Sequence, residues 1–281
     1  MKRLLLLAAA LLATGTAATA SDRNPDLKLM SFNVRYINKI DGDNCWDNRK
    51  EAVVEVVRRE CPDVAGFQEP RGVQVGFICG ELSDIYANVR LGGDYGDKRY
   101  PEGGSNMIVI WRKDKFLMLD HGYFWLSETP DRVSRGWDAM CRRIAVWVRL
   151  MDLKSGKQFF YLNTHFDHKG REARLREAEM VAEQVRLKAG ESLPAFVSGD
   201  LNMKVDSPSL APLRDIMKTA RENAPITDDK PSFNGFGKSR LHIDHILYRN
   251  ARPLCYQTLD GDYGVPYVSD HYPIVCTFDF E

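Results

Sequence analysis

The sequence has no excess of charge of either sign, since 39 basic residues face 39 acidic ones. Non-specific binding to long nucleic acids depends on many Lys and Arg contacts to phosphates, so this balance argues against a processive nuclease without excluding a nucleic-acid substrate. The six cysteines contain no C-x-x-C pair and are irregularly spaced, which argues against a zinc site. We expect mostly free thiols and at most one disulfide. Beyond the N-terminus no apolar run reaches the roughly 20 residues of a membrane-spanning helix.

The first twenty residues have the three parts of a secretory signal peptide. Met1-Lys2-Arg3 is basic, the following run contains only Leu and Ala, and Ala18-Thr19-Ala20 has the A-x-A form of a cleavage site. A buried first helix is the alternative interpretation. We expect cleavage after Ala20 and export to the periplasm or the exterior, which would leave a slight acidic excess. No repeat, low-complexity tract or linker divides residues 21–281, so we predict one domain, and a monomer.

Hydrophobic patterns predict strands that alternate with helices and hairpins. Two helices are expected at 48–60 and 171–188, since each carries an apolar stripe at helical spacing. Asp152–Gly156 is typical of a hairpin turn. The expected strands cover 27–34, 64–67, 107–111, 145–150, 159–162, 194–198, 243–247 and 274–278. This mixture favours α/β or α+β layers over a purely parallel sheet.

Polar residues follow or flank most of these apolar runs. Functional residues concentrate on loops at strand ends, and acids, amides and imidazoles predominate here. Taken alone, Asp200 and Asn202 would be ordinary turn residues. Together with the others they form a candidate site. Its members are Asn33, Glu69, Asn163, His165, Asp200, Asn202, Asp244, Asp270 and His271.

This set of side chains suits attack of water on a phosphate ester. Glu69 offers the hard oxygen ligand that Mg²⁺ prefers, and the ion would offset charge on the phosphoryl oxygens. His271 can accept a proton from the attacking water while a neighbouring carboxylate orients its ring. Asn202 and His165 can donate hydrogen bonds to the developing charge.

Six segments in order resemble the endonuclease/exonuclease/phosphatase superfamily, and in particular an exported bacterial branch near the deadenylase and nocturnin group. They are "SFNVR", "GFQE", "NTHFDH", "SGDLN", "HIDHIL" and "SDHYP". The resemblance covers essentially the whole chain after the N-terminus. It implies a DNase-I-like, four-layered α/β sandwich in which two mixed β-sheets pack face to face with helices outside.

The resemblance also implies roles for individual residues. Mg²⁺, or alternatively Mn²⁺, would be held mainly by Glu69 with Asn33 beside it, and Asp270 would bind the metal or a water. His271 would be the general base, oriented by Asp244. The implied catalytic residues are His165, Asp200, Asn202, Asp244 and His271.

Further candidates for substrate binding are Arg35, Asn163, Asp167, Trp137 and Arg143. Arg35 stands where some members of the superfamily have an Asp, and a cation there can hold a phosphate. Trp137 is a candidate stacking platform, although a tryptophan more often fills a core. His168 either contacts substrate or caps the helix after it, and His245 is expected to face the core. In the loop before residue 107, Glu102 is displaced from its expected place, so Ser105 or Asn106 is the alternative site residue.

The sequence therefore predicts a Mg²⁺-dependent phosphoester hydrolase, with a phosphodiesterase acting on a nucleotide or short nucleic acid as the first hypothesis. A phosphomonoesterase acting on sugar or inositol phosphates comes second. A sphingomyelinase-like lipid phosphodiesterase comes last, because no apolar segment suited to a membrane interface is evident. A non-catalytic binding protein on the same fold is the rival from another class, but none of the expected catalytic residues is replaced.

Overall fold

The computed structural model describes residues 24–92 and 106–280. Within these ranges the chain forms twelve strands and five α-helices. The strands are β1 (Leu27–Asn33), β2 (Val64–Gln68), β3 (Tyr86–Gly92), β4 (Asn106–Arg112), β5 (Phe116–Trp125), β6 (Ile144–Asp152), β7 (Gln158–His165), β8 (Ala195–Asp200), β9 (Lys218–Thr219), β10 (Asp244–Arg249), β11 (Ala251–Thr258) and β12 (Ile274–Phe280). The helices are α1 (Trp46–Glu60), α2 (Gly72–Glu81), α3 (Arg171–Ala189), α4 (Ala211–Arg214) and α5 (Ala220–Asn223). Short 3₁₀ helices occupy Lys39–Asn44 and Pro208–Leu210.

The strands form two mixed six-stranded sheets. Sheet A has the order β11-β12-β1-β2-β4-β3, and sheet B has the order β5-β6-β7-β8-β10-β9. Each sheet has one parallel pair, β1 with β2 and β7 with β8, and antiparallel neighbours elsewhere. The carboxyl ends of these four central strands therefore reach the same end of the molecule as the amino ends of β6, β10 and β12.

Three hydrophobic clusters divide the molecule into four layers. The inner faces of the two sheets meet in one cluster, which includes Phe159, Phe196 and Phe278. A second cluster packs α1 and α2 against the outer face of sheet A. A third packs α3 and α4 against the outer face of sheet B. The predicted four-layered sandwich is thus confirmed.

The expected elements are present, with small shifts at their ends. The first expected helix begins two residues earlier, at Trp46, and ends at Glu60 as expected. It is followed by Cys61, whose φ of 44° is left-handed and which precedes Pro62. The hairpin between β6 and β7 is confirmed. The strands β3, β5, β9 and β11 and the helices α2, α4 and α5 were not expected. All four of these strands lie at sheet edges, where one exposed side weakens the hydrophobic pattern, and α2 contains three glycines.

No helix in the described ranges is long and apolar enough to cross a membrane. The expected signal peptide, Glu102 and Ser105 lie outside the described residues. No disulfide joins any of the six cysteines, all of which the structure describes.

Candidate active site

The candidate site lies where the two sheets share one end. Sheet A contributes the ends of β1 and β2 and the start of β12, and sheet B contributes the ends of β7 and β8 and the start of β10. Between them is a cavity of about 670 Å³. Its lining includes the predicted residues Arg35, Glu69, Arg143, His165, Asp200, Asn202, Asp270 and His271.

His271 is held between two buried carboxylates. Its Nδ1 lies 2.8 Å from Asp244 Oδ2, and its Nε2 lies 3.6 Å from Asp200 Oδ2. The ring of Phe233 packs on the imidazole with centroids 4.8 Å apart. Burial alone would lower the pKa of His271, but the charges of Asp244 and Asp200 raise it to about 10. With no metal bound, this imidazole therefore holds a proton near neutral pH.

Asn33 links the two sheets at the bottom of the site. Its Nδ2 donates to Glu69 Oε1 at 3.2 Å and to Asp200 Oδ2 at 3.0 Å, and its Oδ1 accepts from the backbone N–H of Arg35. The backbone N–H of Tyr36 donates to the other oxygen of Glu69 at 3.1 Å. A single buried amide thus sets the separation of two carboxylates that belong to different sheets.

His165 and Asn202 form the opposite wall of the cavity. Asn202 Nδ2 lies 3.0 Å from His165 Nε2 and donates to the Phe166 carbonyl, while its backbone N–H donates to Asp200 Oδ1. Burial lowers the pKa of His165 well below its usual value, and the charge of Arg143 adds to this effect. His165 is therefore neutral, whereas His271 is charged.

The backbone of the site is strained at three of its functional residues. Arg35, Glu69 and Asn202 have φ values of 55°, 72° and 51°, a left-handed region that costs a non-glycine residue on the order of 1 kcal/mol or more. In the segment "SGDLN", Gly199 approaches β7 so closely that an added Cβ would lie 1.8 Å from the Thr164 carbonyl oxygen. The short polar segments that follow β1, β2 and β8 are thus held in shapes that aim their side chains into the cavity.

The carboxylates fit a divalent cation. Burial raises the pKa of Asp200 to about 7, and the charge of Asp244 adds to it, while burial and the charge of Glu69 raise the pKa of Asp270. Carboxylates that are held together despite their burial and mutual repulsion are typical of a site for a hard ion such as Mg²⁺. Asp200, Asp244 and His271 also lie within metal-binding distance of one another, but Asp244 and His271 already share a hydrogen bond. Glu69 and Asp270 are the other carboxylates among the described residues that line this cavity.

Arg35 lines the cavity but is already paired with carboxylates. Its Nε and Nη2 donate to both oxygens of Asp41 at 3.1 and 2.9 Å, and its Nη1 lies 3.7 Å from Asp270 Oδ2. The guanidinium is therefore largely neutralised, which leaves less of its charge for a phosphate.

Three residues expected in the substrate site lie elsewhere. Asn163 is fully buried between the sheets, where its Nδ2 donates to the Phe67 and Ile108 carbonyls and its Oδ1 accepts from Gln68. Asn163 and His165 share a face of β7, but Asn163 lies one pleat deeper and joins the two sheets. Its full burial corrects the expectation that it contacts substrate.

Asp167 is also fully buried. One of its oxygens accepts the backbone N–H groups of Met140 and Cys141, and the other accepts those of Lys169 and Gly170. Burial would raise the pKa of Asp167, but these donors lower it to about 2. Asp167 thus ties two loops together and does not line the cavity. Although Cys141, Asp167 and His168 lie close enough to share a metal, the oxygens of Asp167 are already used.

Trp137 is not part of the cavity lining. It is half-buried, with a φ of 44°, and its backbone N–H donates to Glu128. Asn106 donates to the Pro70 carbonyl, and His245 is buried with its Nε2 2.8 Å from the Met203 carbonyl, as expected for a core histidine.

Sequence reasoning missed several residues of the cavity lining. They are Tyr36, Cys141, Lys169, Phe233, Leu241 and Ile243. Tyr36, Lys169 and Ile243 stand within three residues of the quoted segments, so proximity to those segments was an available signal. Leu241 adjoins "HIDHIL", whereas Phe233 lies in the loop before that segment and is placed by its pairing with both Leu241 and His271.

Comparison with known proteins places the chain in a class. A model of the Endonuclease/Exonuclease/phosphatase family matches residues 30–271, and the chain belongs to this family. Its members are phosphoester hydrolases that generally depend on a metal ion, so the family and the hydrolase class expected from the sequence are confirmed.

Among solved structures, an endonuclease/exonuclease/phosphatase from Bacteroides vulgatus is 31% identical, with a TM-score of 0.84 and coverage of 91% of this chain and 99% of that one. A mannosyl-6-phosphatase from Bacteroides thetaiotaomicron is 29% identical, with a TM-score of 0.83 and coverage of 90% and 100%. The catalytic domain of human Nocturnin is 17% identical, with a TM-score of 0.72 and coverage of 93% and 96%. This last likeness concerns the fold alone.

Proposed function

We propose that the protein is a Mg²⁺-dependent phosphatase that removes the phosphate group from a small hydroxylated molecule such as a sugar phosphate. The observation that carries this proposal is the cavity of about 670 Å³ around His271 and Asp200, a size typical of small-molecule sites. The similarity to a mannosyl-6-phosphatase over nearly the whole chain supports a sugar phosphate. The first hypothesis from the sequence, a nucleotide or short nucleic acid, stays a prediction.

A bound Mg²⁺ held by Glu69, Asp200 and Asp270 would supply Lewis-acid stabilisation of the phosphoryl oxygens. Asn33 orients two of these carboxylates through its hydrogen bonds. His165 and Asn202 line the same cavity, and where a phosphoryl oxygen replaces their contact with each other they can donate to the charge that develops there.

The proton of the attacking water passes to the chain formed by Asp200, His271 and Asp244. His271 Nε2 lies 3.6 Å from Asp200 Oδ2 and its Nδ1 lies 2.8 Å from Asp244 Oδ2, and groups coupled in this way titrate as a unit rather than singly. Asp244 fixes the ring of His271 through Nδ1 and stabilises its charged form. A divalent cation beside them would lower the pKa values of the whole chain, which favours release of the proton for the next turnover.

A substrate panel tests this proposal. The mature protein with Mg²⁺ is offered mannose 6-phosphate, inositol phosphates, an aryl phosphodiester, mononucleotides, a short oligonucleotide and sphingomyelin. We expect the highest kcat/KM for the sugar phosphate, and we expect Glu69→Gln and His271→Ala to lower kcat by roughly 10²- to 10⁴-fold. His121→Ala changes an exposed histidine on β5 and serves as the control.

Other outcomes of the panel have clear meanings. Faster cleavage of the diester or the oligonucleotide would replace the proposal with the phosphodiesterase hypothesis, and cleavage of sphingomyelin would favour the lipid alternative. A folded protein that binds Mg²⁺ and cleaves nothing would support the non-catalytic binding protein.

A further inference from the structure

One wall of the cavity carries positive charge, and no carboxylate is among the described residues that line this wall. Cys141, Arg143, His168 and Lys169 line the cavity on the flank formed by β6 and β7. We call these four residues the cationic wall. Two of them, Arg143 and His168, were candidate substrate contacts, and none of the four has a role in the chemistry described above.

The guanidinium of Arg143 is buried and incompletely paired. Its side chain is only 10% exposed, and within the described residues its Nε makes no hydrogen bond. The carboxylate of Asp167 lies 3.7 Å from that Nε, but its oxygens already accept four backbone N–H groups. Glu177 is near enough to interact, yet burial raises the pKa of Glu177 to about 8, so it adds no negative charge at neutral pH. A buried cation in this state is a strong site for an anionic partner.

His168 completes the donor set of this wall. Arg143 Nη2 lies 3.3 Å from His168 Nδ1. Burial lowers the pKa of His168, and the charge of Arg143 adds to this effect, so the ring is neutral and accepts at Nδ1. In that tautomer the Nε2–H is left to donate to a ligand. The exposed Lys169 adds a second positive charge.

The cationic wall and the catalytic centre are separated across the sheet. Arg143 immediately precedes β6, Asp200 ends β8, and β7 lies between these two strands. Two strand spacings amount to about 10 Å. A group bound at this wall and the phosphate bound beside Asp200 therefore belong to different parts of one substrate. Among the described residues of the opposite flank Arg35 is not equivalent, because two of its nitrogens donate to Asp41 at 3.1 and 2.9 Å.

We infer that the cationic wall is a second anion subsite, and that the substrate is a small molecule with a second phosphate group remote from the one that is cleaved. This inference rests on the proposed phosphatase function. It names the substrate class as a bisphosphorylated sugar or an equally spaced dianion, for which Arg143 and Lys169 determine specificity.

The test compares mannose 6-phosphate with mannose 1,6-bisphosphate, using the ratio of their kcat/KM values. We expect the wild type to prefer the bisphosphate, and Arg143→Met to lower this ratio roughly 10- to 100-fold, as for loss of a hydrogen bond to a charged group. Lys169→Met, at an exposed position, should lower it less. Arg135→Met removes an exposed arginine of the same loop that does not line the cavity and should leave the ratio unchanged.

Thermal unfolding of each variant separates loss of folding from loss of specificity, and Lys169→Met keeps the test decisive if Arg143→Met does not fold. An equal loss of activity on both substrates, or no preference in the wild type, would overturn the inference while the phosphatase function stands. If no ester is cleaved, calorimetric titration of mannose 1,6-bisphosphate into the metal-free protein decides. Binding by the wild type that Arg143→Met abolishes would support the subsite and reject the phosphatase, and absence of binding would reject the subsite.

Discussion

Two buried side chains of opposite charge hold the two halves of the site. On the sheet A side, Arg49 donates to the backbone carbonyls of Val34, Arg35, Asn44 and Val268. On the sheet B side, Asp167 accepts four backbone N–H groups from the loops around residues 140 and 169. Each side chain replaces the hydrogen-bond partners that a loop lacks outside regular secondary structure. The loops that present catalytic groups are thus held by charged side chains buried behind them.

The two anchors differ in their electrostatic surroundings. Burial lowers the pKa of Arg49 to about 10, although the charge of Asp270 opposes this effect. The pKa of Asp167 is lowered as well, to about 2, but for a carboxyl this means that the charged form is favoured. Arg49 therefore keeps its charge at a net cost, whereas Asp167 is stabilised by its donors. Four substitutions test this difference, in order from the largest expected effect to the smallest.

Replacement of Arg49 by Met should be the most damaging change. It leaves four carbonyls without their donor, one of them in the segment that leads to Asp270 and His271, and we expect a loss of about 4 kcal/mol in the free energy of unfolding. Urea denaturation measures this loss. Arg49→Lys keeps the charge with fewer donors and should be intermediate. A loss below that caused by changing Asp167 would reverse the proposed ranking.

Asp167→Asn should cost less, about 3 kcal/mol in unfolding free energy, because the amide retains one acceptor oxygen but presents N–H groups to two backbone donors. The cationic wall should lose its position, so KM should rise more than kcat falls. The measurement combines urea denaturation with steady-state kinetics. A fall in kcat alone would place the effect of Asp167 at the catalytic centre instead.

Glu177 should make the stability of the sheet B side depend on pH. It is buried behind Asp167, where its Oε2 accepts the N–H of Asp167, and burial raises its pKa to about 8. The folded state favours the protonated acid, so this contribution to stability is full below pH 4.5, falls between pH 4.5 and about 8, and is level above that. Glu177→Gln should remove this fall, with a relative gain on the order of 2 kcal/mol at pH 9 compared with pH 5, allowing for relaxation around a buried charge. A parallel pH profile of unfolding for both proteins would contradict this.

The smallest effect is expected for Asp41→Asn. Asp41 pairs with Arg35, which lines the cavity and whose side chain is 20% exposed. Partly exposed ion pairs contribute about 1 kcal/mol or less. Because the change frees the charge of Arg35 on the cavity lining, the preference for a bisphosphate should strengthen slightly, since added positive charge attracts the more highly charged substrate more strongly. A loss of stability as large as that of Asp167→Asn would show that the exposure of a charged side chain does not determine how much it contributes to stability.

Much of the fold was evident from local patterns. The buried strands β1, β2, β7 and β8 carry strong apolar runs, and the stripe of α3 repeats over five turns, so each was expected within a few residues of its observed bounds. Edge strands such as β5 and β11 escaped because their exposed sides alternate irregularly, and α2 escaped because glycines dilute its pattern. The signals that failed were those of partly exposed elements.

The chemistry of the site could also be predicted from the sequence, since acids, amides and histidines at strand ends are specified by residue type and position along the chain. The sequence did not reveal how deeply each of these side chains is buried, which groups it contacts, or whether it is charged. Asn163 and His165 are equivalent in the alternation of β7, yet only the packing of sheet A onto sheet B places one in the core and the other in the cavity. Asp167 resembles a site residue until four N–H groups from two loops surround it. These properties depend on groups distant in sequence, whose relative positions exist only once both sheets are packed.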